Sequence, residues 1–211
     1  MNELFDIIRT SLEVSGLSLI IAGFIGIPLG IIIGLSPFRG RKCLIALVNT
    51  GMGLPPVLVG LVVVIILGRS GPLGFMGLLY SRTAMIIAQT IIALPIITAF
   101  TIAGIQKIDP ELIRQTISLG ATRLQLFRII IQEARLTILV ALMAGFGSII
   151  SEVGAVMMVG GNIRGDTTVL TTGILQSTRM GLFNEALMLG GVLLVISFVI
   201  NLALTLIQQK R

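Results

Sequence analysis

Residues 16–35, 44–67, 83–106, 136–158 and 186–207 form five apolar runs. Each is close to the roughly 20 residues an α-helix needs to cross about 30 Å of hydrocarbon. Such a chain has few folds open to it, because inside lipid every backbone N–H and C=O must find its partner within the protein. The expected architecture is an all-α integral membrane protein of about five transmembrane helices, with residues 1–211 forming a single transmembrane domain. Composition agrees: 55% of residues are hydrophobic, 11% are charged and the mean hydropathy is +1.08, more apolar than a soluble domain.

Several functions are excluded by what the chain lacks. It has no histidine or tryptophan and one cysteine, Cys43, which leaves no disulfide framework and no multi-cysteine or histidine metal site. The net charge of +6 comes from bases in short loops between apolar runs. Without aromatic stacking residues among them, membrane topology accounts for the bases better than nucleic acid does. No glycine-rich loop ending in Lys-Ser or Lys-Thr is present to cradle ATP. No His-Glu-x-x-His or Gly-x-Ser-x-Gly occurs either, so an enzyme is not expected.

Residues 1–15 read as an amphipathic N-terminal segment, either an interfacial helix or an extension of the first span. Gly26, Gly30 and Gly34 recur every fourth residue, a spacing that gives one helix face to a closely approaching neighbour. Pro28, Pro55, Pro56 and Pro95 are each expected to remove a helix hydrogen bond. Helices so freed tend to line an interior, where protein or water satisfies the carbonyls.

Glu152 interrupts the fourth run. It reads as a partner for a basic group on a translocation route or as a structural hydrogen-bonding group between helices. Residues 68–82 read as an outer loop with a short half-buried turn. The turn at 160–166, with Gly161 and Asn162 able to take positive φ, precedes a threonine-rich segment at 167–177 that is too short to span. That segment is expected as a short helix or re-entrant piece at the outer mouth, or as an ordinary loop.

Residues 109–128 are the one stretch of detailed polar design. Asp109 suits a helix N-cap, Pro110 the first turn and Glu111 the positive end of the dipole. Gly120 suits a left-handed stop, and Thr122 with Gln125 has the spacing of a capping box. Two short helices joined at an elbow are expected, either a handle offered outside the bilayer or a solvated connector.

With Gly120, Ala121, Thr122 and Arg123 at its elbow, this stretch resembles the cytoplasmic coupling segment, or EAA loop, of ABC importer permeases. Arg114-Gln115-Thr116 stands where that family usually has Glu-Ala-Ala, and Gln132-Glu133 replaces its later Leu-Pro. The 150–163 block and the 71–95 region also resemble oxyanion permeases of the molybdate and tungstate group, more closely the tungstate branch.

The resemblance implies a type I ABC importer permease fold with a helix-turn-helix coupling loop. It also implies transport of a tetrahedral oxyanion, tungstate first and molybdate or another oxyanion as the alternative. The implied partners are an ABC ATPase subunit carrying ATP and Mg, an extracytoplasmic solute-binding protein, a second copy of the permease and membrane lipid. No cofactor is implied on this chain. Contact with the ATPase falls to Asp109, Pro110, Glu111, Arg114, Ser118, Leu119, Gly120, Ala121, Thr122 and Arg123. Pro55, Pro56, Pro95, Glu152 and Asn162 become candidates for the translocation path.

With the elbow cytoplasmic, five spans put the N-terminus outside and the C-terminus inside a plasma membrane, which is the inner membrane of a Gram-negative cell. Ten bases, Lys210 and Arg211 among them, then lie inside and five outside, as the positive-inside rule prefers. A non-transporting scaffold that binds a partner through 109–128 is the alternative from another class.

Overall fold

The computed structural model describes residues 2–209, which are mostly helical with no strand among them. Lys210 and Arg211, counted above on the inner side, lie outside the described residues. Helix α1 (Asn2–Leu35) runs unbroken through the amphipathic lead-in and the first apolar run. The lead-in therefore extends the first span.

Helix α4 (Arg82–Ile105) is the central element, packing against α1 along the glycine stripe. A Cβ on Gly30 would stand 2.6 Å from Thr101 Cβ, one on Gly34 2.7 Å from Ile105 Cγ2, and one on Gly26 3.0 Å from Thr98 Oγ1. Only hydrogen fits there. Across the same seam Ser18 Oγ donates to Ile86 O at 3.1 Å. Met85, Ile97, Ile149, Val156 and Val159 fill the core with almost no exposed surface.

Helices α1, α4 and α10 (Phe183–Gln209) are long and apolar enough to cross a membrane alone. The other two apolar runs are not straight spans, which corrects the sequence expectation. The run 44–67 splits into α2 (Arg41–Met52) and α3 (Pro56–Leu67), bent by 98°. Pro55 occupies the N-cap of α3 and Pro56 its first turn, where a missing N–H deprives no carbonyl. The two prolines therefore begin a helix instead of removing a bond from the middle of one. Pro28 and Pro95 do lie inside helices.

The run 136–158 ends as helix α7 (Arg135–Ile150) and resumes as the short α8 (Gly154–Gly160). Preceding α7 are α5 (Pro110–Ser118) and α6 (Arg123–Glu133), the latter meeting α7 at 68°. Counting each bent pair as one span, the helices supply up to five crossings.

The loop at 68–81 holds a 3-10 turn at Gly74–Met76. The threonine-rich segment forms helix α9 (Leu170–Arg179) with Leu170, Thr171, Thr172, Gly173 and Ser177 buried, so it is not an ordinary loop. It is tied to α1 by the Leu170 N–H, which donates to Ser11 Oγ at 2.8 Å. Arg82 joins Glu13 at 3.0 Å and Asp166 at 3.3 Å, and Arg164 pairs with Glu3. The hydrogen-bonded Glu3 carboxylate raises the Arg164 guanidinium further above its ordinary value. These exposed and half-buried pairs orient the turn at 160–166 and add little stability.

Candidate functional site

The elbow at 109–128 is built from local hydrogen bonds. The Asp109 carboxylate accepts from the Glu111 N–H at 2.9 Å, with Pro110 in the first turn of α5. Gly120 takes φ 79°. Its N–H donates to Ile117 O at 3.0 Å, and the Ala121 N–H donates to Thr116 O at 3.3 Å. This pair of bonds is a Schellman stop. Thr122 Oγ1 accepts from the Gln125 N–H at 3.3 Å while Gln125 Oε1 accepts from the Thr122 N–H at 2.8 Å. The expected capping box is complete.

The elbow is anchored as well as capped. Leu112, Ile113, Leu126 and Phe127 pack on a buried cluster formed by Ile31, Ile105, Ile108, Ile130, Ala134 and Ile138. That cluster joins the elbow to the ends of α1 and α4 and to α7. A push on the elbow is therefore transmitted to three long helices.

The outward side of the elbow is unexpectedly apolar. Leu119 is 88% exposed, Leu124 75% and Ile117 56%. Around them lie the exposed Asp109, Pro110, Glu111, Arg114, Ser118, Gly120, Thr122 and Arg123, with Ala121 half-buried. Arg114 and Glu111 pair at 3.7 Å. No other atom of the chain comes within 4 Å of a Cβ placed on Gly120. That glycine serves its positive φ, and its open side is free for a partner to approach. Sequence reasoning left Ile117 and Leu124 out of the contact set. Helical spacing gave no signal for Ile117, because it stands four residues after the half-buried Ile113 and so falls on the same side of the helix.

A second feature is a cavity of about 290 Å³ at the α2–α3 break. Residues 51–56, Val59, Ile91, Ile92, Pro95, Ile96 and Ser148 line it. It brings Pro55, Pro56 and Pro95 together, and none of its lining residues is charged. Near it Asn49, Thr50 and Ser151 are exposed. Uncharged polar side chains exposed in or beside apolar spans fit a protein- or water-facing wall better than a lipid-facing one.

Glu152 and Asn162 do not line this cavity. Glu152 Oε1 accepts from the Ala155 N–H at 2.9 Å, and its carbonyl accepts from Thr171 Oγ1 at 2.9 Å. It caps α8 and links the α7–α8 break to α9. Asn162, at φ 49° in the turn at 160–166, donates from Nδ2 to Gln176 Oε1 at 2.5 Å. Glu152→Gln, which retains the acceptor, is expected to leave the fold intact. Glu152→Leu strands the Ala155 N–H at a cost of about 1–3 kcal/mol, read as a lowered Tm of the purified protein.

Fold and site together define a multi-span membrane subunit with a rigid polar elbow at one end and an uncharged cavity at a break in its helices. A family model described as binding-protein-dependent transport system inner membrane component matches residues 26–211, and the chain belongs to that family.

The chain is 43% identical to the tungstate uptake system permease protein TupB of Peptoclostridium acidaminophilum, over 99% of this chain and 91% of that one. It is 37% identical to a probable anion ABC transporter permease protein of Haloferax volcanii, over 95% and 89%. Among solved structures it is similar to a bacterial alginate ABC transporter in complex with an alginate pentasaccharide-bound periplasmic protein. The TM-score is 0.82 at 25% identity, covering all of this chain and 80% of that one.

Proposed function

We propose that this chain is the membrane-spanning subunit of an ATP-driven importer of a tetrahedral oxyanion, tungstate before molybdate. The observation that carries the import reading is the elbow, capped at both helix starts, rooted in the core and faced with exposed leucine. Likeness to a tungstate permease over 99% of the chain supports the choice of anion.

In this reading the elbow lies in the cytoplasm against an ATPase subunit that holds ATP and Mg. The N-terminus is outside and the C-terminus inside. A solute-binding protein delivers the anion at the outer face, and a second copy of the chain closes the pathway along the cavity wall. Residues Pro55 and Pro56 set the start of α3 at the cavity, and a helix start carries partial positive charge. With no charged residue lining it, the cavity holds an anion weakly and lets it pass, leaving selectivity to the binding protein.

The test is uptake by proteoliposomes holding the permease with its ATPase and binding protein. Tungstate is expected to enter only with ATP, molybdate less readily and sulfate least. Entry without nucleotide would point to a channel or secondary carrier. Partner binding with no anion movement would point to a scaffold.

A further inference from the structure

We propose that α2 is the moving gate of the cavity, seated on Pro95 through Gly51 and latched to α1 through Arg41. The proposal rests on the import reading and adds which element moves.

Three observations carry it. First, no residue of α2 is buried, whereas α3, α4, α7, α8 and α9 each contribute buried residues to the packing. It packs on α4 along a half-buried stripe of Leu44, Ile45, Val48 and Gly51, and an element with no fully buried residue opens at lower cost than the core helices. Second, both ends are jointed. Gly40 precedes α2 at φ 92°, and residues 53–55 turn the chain through 98° into α3. Third, its attachments are specific. The Arg41 guanidinium donates from Nε to Ile33 O at 2.8 Å and from Nη2 to Gly34 O at 2.7 Å, covering carbonyls at the end of α1 that have no helical partner. At the far end a Cβ on Gly51 would stand 2.8 Å from Pro95 Cβ. Gly51 and Pro95 both line the cavity, so lifting α2 from this seat opens the cavity wall.

Swinging α2 breaks two charge-assisted hydrogen bonds, one glycine seat and the half-buried stripe against α4, while leaving the fully buried core of the protein intact. Arg41 thus acts as a positioning residue. It sets the resting balance between seated and lifted α2 without touching the anion.

The chain supplies its own probe, since Cys43 is its single cysteine, lies on α2 and is exposed. The experiment uses the complete transporter in proteoliposomes and a water-soluble maleimide, comparing nucleotide-free and vanadate-trapped states. One set labels Cys43; a second labels Asn49→Cys in a Cys43→Ser background, two helical turns nearer the cavity.

Both positions are expected to change labelling rate between the states. Arg41→Gln is expected to move the nucleotide-free rates about tenfold toward the trapped values, with ATP hydrolysis no longer matched by uptake. Arg41→Lys, which cannot reproduce the fork, is expected to fall between. A change at position 43 alone would mean that the ATPase merely covers the end of α2, and the gate is then wrong. Constant rates at both positions, with wild-type uptake in Arg41→Gln, would equally overturn it. If the unmodified transporter takes up no anion with ATP, the import reading fails first, and that result is separate.

Discussion

Replacing Leu119 and Leu124 together with glutamate is expected to abolish binding of the ATPase subunit while leaving the permease folded. Both side chains are largely in solvent and make no contribution to the core beneath the elbow, so the substitutions cost the free chain within about 0.5 kcal/mol. Among the described residues they and Ile117 are the exposed large apolar groups at the bend, set among polar neighbours that contribute complementarity more than energy. Apolar anchors of this kind carry about 2 kcal/mol each, so losing both weakens association about a thousandfold. Titrating purified ATPase onto the detergent-solubilised permease measures the loss, and the Tm of the permease alone provides the control. Retained affinity would place the docking surface elsewhere and leave the elbow as a connector.

The elbow was legible in the sequence because its bonds span few residues. Asp109 to Glu111, Thr122 to Gln125 and the Gly120 stop all join residues two to five positions apart, and each closed as its residue types dictate. The glycine stripe at 26, 30 and 34 was legible as a packing face, though not its partner. Nothing near those glycines names Thr98, Thr101 or Ile105, which lie about 70 residues away. Family membership and the helical class followed from the same runs and motifs.

What the sequence hid was geometry at breaks. Hydropathy averages over the α2–α3 bend, because Gly53, Leu54 and Pro55 do not lower it enough to end a run. Pro55 and Pro56 were therefore read as defects inside a span when they start a new helix. Glu152 was hidden in the same way. Once 136–158 was taken as continuous, its carboxylate looked like a charge inside a helix, whereas its reach to the Ala155 N–H is an ordinary cap at a helix start. Arg41 looked like any base at a membrane edge; only the fold brings the end of α1 under its guanidinium. Pro95 was singled out for a lost hydrogen bond and does lie inside α4, but nothing in the sequence showed that its ring also forms the seat for Gly51.

The largest loss of folded protein is expected from Gly30→Val. Its Cβ would lie 2.6 Å from Thr101 Cβ, 2.7 Å from Thr101 Cγ2 and 3.0 Å from the Thr98 carbonyl oxygen. Neither contact yields easily. Thr101 is buried, β-branched and bonded through Oγ1 to Ile97 O at 2.7 Å, so its rotamer is fixed, and the carbonyl belongs to the α4 backbone. Helix α1 must then move off α4, which also opens the Gly26 and Gly34 contacts on the same stripe. In lipid, helices associate through close packing and interhelical hydrogen bonds because the hydrophobic drive is absent, so beyond the Ser18–Ile86 bond this seam depends on its packing. Overpacking alone costs about 1–3 kcal/mol, and lost packing along about two helical turns adds to that. The measurement is the yield and Tm of the purified permease against Gly191→Val, where a Cβ meets nothing within 4 Å and little change is expected. Thr101→Ala should restore part of the loss in the Gly30→Val background, because it removes the Cγ2 methyl 2.7 Å away and frees the remaining Cβ from its fixed β-branched rotamer. That double-mutant cycle assigns the coupling to the seam itself. Additive losses would mean that α1 and α4 do not meet there in the membrane.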